Sequence, residues 1–142
     1  MRAAVVTNRI DVTTLIDEVA DDRHGATAVF VGTVRSTNEG REVREIEYTA
    51  YEEMAEREMS VILAEAGRAY EGAMLVAEHR IGLLAVGEAS IVIAAAHERR
   101  ACALDAIRYA IDEMKTRVPI WKREVYADGS QSWVDPTRVT AT

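Results

Sequence analysis

Apolar positions in this chain follow two rhythms, a period of two and a period near four, and the switches between them mark out the elements. Ala3 to Thr7 reads as a short apolar strand. Asp11 can cap a helix whose buried face is Val12, Leu15, Ile16 and Val19. Past Gly25, the β-branched run Ala26 to Arg35 predicts a long strand, and Ser36 to Gly40 a loop. Glu42 to Tyr51 alternates through Val43, Ile46, Tyr48 and Ala50. It is expected to pair with the strand before it and to leave Val43 to Ala50 as an exposed edge. Glu52 to Tyr70 has helical spacing at Ala55, Met59, Ile62, Ala66 and Ala69, with acids in its first turn. Met74 to Arg80 and Ala89 to Ala96 predict two more strands, joined by a glycine-bounded connection from Ile81 to Glu88. A third helix spans Arg100 to Lys115 on the seam Leu104, Ile107, Ile111 and Met114. Trp121 to Tyr126 and Ser132 to Val134 form a hairpin about Asp128-Gly129. The sum is one α+β domain over residues 1–136, with three main helices and a mixed or antiparallel sheet, and a flexible tail over 137–142.

Composition narrows the function. With 142 residues, 49% hydrophobic and 29% charged, the chain suits one ordinary globular domain. It holds no apolar run of membrane-spanning length and no signal-like N-terminus, so the expectation is a cytoplasmic protein without a membrane partner. Cys102 is the single cysteine, which excludes an internal disulfide and reads as core filler. The net charge of −7 opposes nucleic-acid binding. Arg99 to Arg123, however, holds seven basic residues and three acids, a net +4. Within that segment Arg108 and Arg117 are expected to face solvent; the other cations mark a local anion site.

The sharpest chemistry lies at Lys115-Thr-Arg-Val-Pro119-Ile-Trp121-Lys122. Pro119 ends the helix and turns the chain into a strand, which can carry Lys115 and Lys122 to one mouth. Two ammonium groups so placed depress each other's pKa, and a lysine near neutrality can carry protons or act as a nucleophile. Two unrelated surface lysines remain the plainer reading of those residues. Arg35 at a strand end and Arg99-Arg100 at a helix start add forked donors for phosphate or carboxylate. His24, His79 and His97 are too scattered for a metal site, and Ser130 and Ser132 have no nearby histidine for a triad.

Three segments, Phe30 to Arg35, His79-Arg-Ile-Gly82 to Gly87-Glu88, and Lys115 to Glu124, resemble the catalytic (large) subunit of molybdopterin synthase, colinearly from about Val12 to Val134. The resemblance implies that family's α/β-hammerhead-type fold. It implies sulfur transfer in molybdenum-cofactor biosynthesis, converting cyclic pyranopterin monophosphate to molybdopterin. The donor would be the C-terminal Gly-Gly thiocarboxylate of a small ubiquitin-like subunit, and the assembly a homodimer within a heterotetramer. No metal or resident cofactor is implied. Carried onto this chain, the resemblance makes Lys115 and Lys122 catalytic, and assigns Thr33, Val34, Arg35, Arg99, Arg100, Arg123 and Glu124 to substrate. Phe30, His97 and Ile111 are possible pocket residues. Arg99 stands where the family usually has a histidine, and His97, two residues earlier, could have taken its role. The alternative class is a non-catalytic module binding an anionic pterin, a nucleotide or a ubiquitin-like tail.

Overall fold

A computed structural model describes residues 1–134; the end of the expected domain and the expected tail lie outside the described residues. In chain order the elements are β1 (Arg2–Val6), α1 (Val12–Val19), β2 (Ala26–Thr33), β3 (Thr37–Asn38), β4 (Arg41–Ala50), α2 (Glu52–Ala69), β5 (Met74–Arg80), β6 (Gly82–Ala85), β7 (Ala89–His97), α3 (Arg100–Arg117), β8 (Ile120–Tyr126) and β9 (Gln131–Val134). Two sheets result. The first runs β1-β5-β7-β2, with β1 parallel to β5 and the other pairs antiparallel; the second runs β3-β4-β8-β9, with β6 also on β4. Among the described residues no helix is long and apolar enough to cross a membrane.

Alternation along the first sheet feeds a core on each face. Leu75, Ala77, Ile91, Ile93 and Ala95 meet α2 and α3 on one side, through Met59, Ile62, Leu63 and Ile107. Val76, Val92, Ala94 and Ala96 meet Leu15 and Val19 of α1 on the other. The Asp11 carboxylate accepts from the Thr14 N–H, capping α1 as its sequence suggests. The second sheet closes a smaller core of Val34, Val43, Ile46, Leu84 and Tyr126.

Several expectations change here. β4 does not pair with β2. It lies inside the second sheet between β8 and β6, so Val43 to Ala50 is no free edge, and β2 pairs β7 instead. The three-residue step from Val43 to Ile46 breaks strict alternation, and a register shift between Val43 and Glu45 absorbs it. The connection 81–88 contains β6, whose four residues pair with Glu45 to Tyr48 of β4. On α3 the buried face is Ala103, Ala106, Ile107, Ala110 and Met114, while Leu104 is exposed and Ile111 half-buried. Alanine lets the helix lie close to the alanine-rich β7, a packing stripe that a count of large side chains passes over. Cys102 is half-buried rather than core. Arg108 faces solvent, but Arg117 does not: it bonds Glu58 at 2.8 Å, Glu65 at 2.6 Å and Glu113 at 3.1 Å, tying α3 to the acidic flank of α2.

Candidate active site

α3 ends at Arg117, with Val118 as its cap, and β8 begins at Ile120. The reversal at Pro119 puts Lys115, from the last turn of the helix, and Lys122, from the strand, in the wall of one cavity. Met59, Ile91, Ile111, Met114, Val118 and Ile120 form the apolar part of that wall, and Tyr48, His79 and Ser90 the remaining polar part. Lys115 is exposed as a whole residue, yet its amine is lowered from the ordinary lysine pKa. Burial is the main cause, and the charges of Lys122 and then Arg35 add to it. Three cations, from α3, β8 and the segment after β2, therefore act at one mouth.

Glu124 lies beneath Lys122, only 1% exposed. Its carboxylate accepts two 2.9 Å bonds from Asn38 Nδ2 and one from the Tyr126 hydroxyl, and it pairs with Lys122 Nζ at 3.4 Å. Burial pushes its pKa up; these hydrogen bonds and the Lys122 charge outweigh burial, and the net shift is downward. Glu124 is thus engaged internally and orients Lys122. Arg123, between them in sequence, points to the other face of β8, bonds Glu47 at 3.0 Å and Gln131 at 2.9 Å, and overlies Trp133.

The polar floor was not evident from sequence. His79 is pulled down to about 4 by burial first and by the Lys115 charge, against a hydrogen bond with the Arg80 carbonyl that works the other way. Its ring meets Tyr48 edge-on, with centroids 5.2 Å apart. Tyr48 is raised by burial, partly offset by its bond with Ser90, with the Glu124 charge adding to the rise. Ser90 is the extra residue of a bulge: Gly32 pairs Ile91 and Thr33 pairs Ala89, and the Ser90 hydroxyl donates to the Gly32 carbonyl at 3.2 Å. Gly32 is needed there, since a Cβ would lie 2.8 Å from Ile91 Cγ2. The signal available in sequence was a polar side chain interrupting an apolar strand row.

The other expected site residues fall into two groups. Thr33 and Arg35 are exposed beside the bulge, and Val34 is buried, exchanging backbone bonds with Glu88 and Gly87. Phe30 is half-buried in the first core. Arg99 and Arg100 are exposed at the far end of α3, and fifteen residues of helix put Arg100 ~22 Å from Lys115 within one chain. His97 ends β7, six residues and ~20 Å from Ile91 of the cavity wall. Its Nδ1 accepts from the Arg99 N–H, and its Nε2 donates to the Glu71 carbonyl, so both nitrogens serve the chain turn before α3.

The fold is a two-sheet α+β domain whose cavity, at a helix–strand reversal, carries two lysines able to hold an anion. A family model described as MoaE protein matches residues 5–117, and the chain belongs to that family. The molybdopterin synthase catalytic subunit of Oryza sativa is 48% identical over 121 residues, 85% of this chain and 63% of that protein, so the chain spans under two thirds of this relative. The Bacillus subtilis catalytic subunit is 39% identical over 140 residues, 99% of this chain and 89% of that one. Molybdopterin synthase from Staphylococcus aureus superimposes with a TM-score of 0.89 at 32% identity, covering 92% of this chain and 95% of that chain. A Helicobacter pylori complex of subunits 1 and 2 of molybdopterin-converting factor shares the fold, with a TM-score of 0.76 at 21% identity, over 93% and 89% of the two chains.

Proposed function

We propose that this protein transfers sulfur in molybdenum-cofactor biosynthesis, converting cyclic pyranopterin monophosphate to molybdopterin with a small ubiquitin-like partner as donor. The observation that carries this reading is the convergence of Lys115 and Lys122 on one cavity, with the Lys115 amine lowered. The relatives' names and the Helicobacter pylori complex support the pathway and a small-subunit partner.

In this reading the Gly-Gly thiocarboxylate of the partner enters between the lysines. Lys122, held by Glu124, clamps the anion. Lys115 carries the proton as sulfur attacks and the acyl group leaves. Arg35 meets the substrate phosphate at the mouth. Arg99 and Arg100 are too distant to join the lysines of their own chain, so a second copy would supply them, which gives the homodimer within a heterotetramer a chemical purpose. No resident cofactor or metal is needed, because the partner brings the sulfur. We place the reaction in the cytoplasm, without nucleic acid or membrane.

The test is incubation with pyranopterin monophosphate and thiocarboxylated small subunit, with mass spectrometry of the pterin product. Dithiolene formation that depends on both lysines supports the reading. Binding of both partners without any sulfur transfer would leave the chain a binding module.

A further inference from the structure

The face of β5 that gives Leu75 and Ala77 to the core continues two residues on with His79. Alternation calls for an apolar side chain there, and an imidazole only 9% exposed takes its place. Its Nδ1 lies 2.9 Å from the carbonyl oxygen of Arg80. Nδ1 therefore carries the proton and Nε2 the lone pair. That bond ties His79 to its own neighbour, and the ring's edge-on contact with Tyr48 is one that an apolar ring would make as well, so neither calls for an imidazole. Among the described residues no protein donor reaches Nε2, and the atom is not sealed off from the cavity that His79 lines.

The wall of the cavity that the ring lines mixes cations, hydroxyls and apolar groups. α3 presents Lys115, β8 Lys122 and β4 Tyr48, while β7 presents Ser90 and Ile91 and α2 Met59. Val5 of β1 flanks His79 in the sheet, and the nearby Glu56 carboxylate is taken up by the Val5 N–H. Burial and the Lys115 charge disfavour a second proton and keep the ring an acceptor, while the Glu124 anion is taken up by Lys122, Asn38 and Tyr126. The cavity encloses about 50 Å³ for water-sized occupants, against the ~10–15 Å³ that one water needs. The cavity wall carries ammonium donors, an imidazole acceptor and two hydroxyls, the kind of polar lining that holds a buried water through about 2–4 hydrogen bonds.

We propose that His79 is the positioning residue for the water that releases the partner's acyl tail after sulfur transfer. The inference rests on the sulfur-transfer reading above. Once sulfur has attacked, a thioester joins tail and substrate. The water oxygen bonds to the acyl carbon, the carbon–sulfur bond breaks, and its electron pair leaves on sulfur as a thiolate. Nε2 accepts a hydrogen bond from the water and aims it at the carbon; one water proton passes to that thiolate or out past the lysines, and the other is lost from the new carboxylic acid. The imidazole ends as it began.

The test is rapid quenching of a reaction between the protein, thiocarboxylated small subunit and pyranopterin monophosphate, with intact-mass detection of the tail–pterin adduct. His79→Asn keeps a donor for the Arg80 carbonyl and leaves nothing at Nε2, whereas His79→Gln restores an acceptor there. In His79→Asn, adduct breakdown should slow at least ~10-fold more than adduct formation, a positioning effect smaller than the ~10²–10⁴-fold of a group that itself transfers the proton. His79→Gln should recover part of that loss. Tyr48→Phe leaves β5 untouched, removes another partner of the same water, and should show a smaller selective slowing even if His79→Asn does not fold. Equal slowing of both steps, or unchanged breakdown, overturns the role. A wild-type reaction with neither adduct nor dithiolene overturns the sulfur-transfer reading itself, and this inference with it.

Discussion

Replacing Glu124 by alanine should be among the most damaging single changes outside the apolar core. The side chain is 1% exposed, and its removal strands Asn38 Nδ2, the Tyr126 hydroxyl and Lys122 Nζ together. Breaking a buried charged network from one side costs ~3–5 kcal/mol, because the partners keep their desolvation penalty and lose their acceptor. Domains of this size are stable by only ~5–15 kcal/mol, so the variant would be marginal. Glu124→Gln keeps the shape and one oxygen, and should cost ~1–2 kcal/mol, within the range for lost hydrogen bonds. Urea unfolding followed by circular dichroism measures both, with an unchanged denaturant slope as the check that only stability moved. A cycle with Asn38→Ala should show coupling, since the two side chains share their bonds. The sign with pH follows from the lowered folded pKa of Glu124. Its stabilising contribution is present above the unfolded carboxylate pKa and is lost as pH falls through the folded one. Equal costs for alanine and glutamine, or a cost below ~1 kcal/mol for alanine, would refute the network as drawn.

Three further outcomes are expected. Lys115→Arg should lose sulfur transfer nearly as fully as Lys115→Ala, by ~10²-fold or more in single-turnover rate with preformed thiocarboxylate, since arginine cannot release a proton; near-normal turnover would make Lys115 an electrostatic anchor. Stability should fall as pH drops from about 6.5 to about 4, because His79 titrates at about 4 when folded and at the ordinary 6.5 when unfolded. The loss approaches ~3 kcal/mol at the lower end, and urea titrations of His79→Gln should be flatter across that window. Sedimentation velocity at micromolar concentration should show a dimer, as expected for an interface of more than ~1,200 Å², and a monomer that persists with the partner present would remove the shared site.

The legible parts of this fold were those where local chemistry and tertiary environment agree. The Asp11 cap, the runs at 74–80 and 89–96, the Asp128-Gly129 hairpin and the Pro119 reversal all appear as expected, because each is dictated by its own few residues. Strand pairing is not local. Nothing in Val43 to Ala50 says that its partner is Ile120 to Tyr126, some seventy residues on, rather than the strand just before it. Small-residue packing was hidden for a different reason: Ala103, Ala106 and Ala110 contribute little transfer energy each but decide how closely α3 approaches β7. The site shows the same division. The lysines stood out because proline marks their junction. Tyr48, His79 and Ser90 were hidden among apolar strand positions, on three strands that are separate in sequence. Yet burying a polar group costs free energy unless something repays it; His79 and Ser90 interrupt rows that packing alone would have filled with hydrocarbon, and Tyr48 brings a hydroxyl into one. That they meet at a single cavity beside Lys115 is the physical argument for treating such interruptions as chemistry before treating them as tolerated faults of the core.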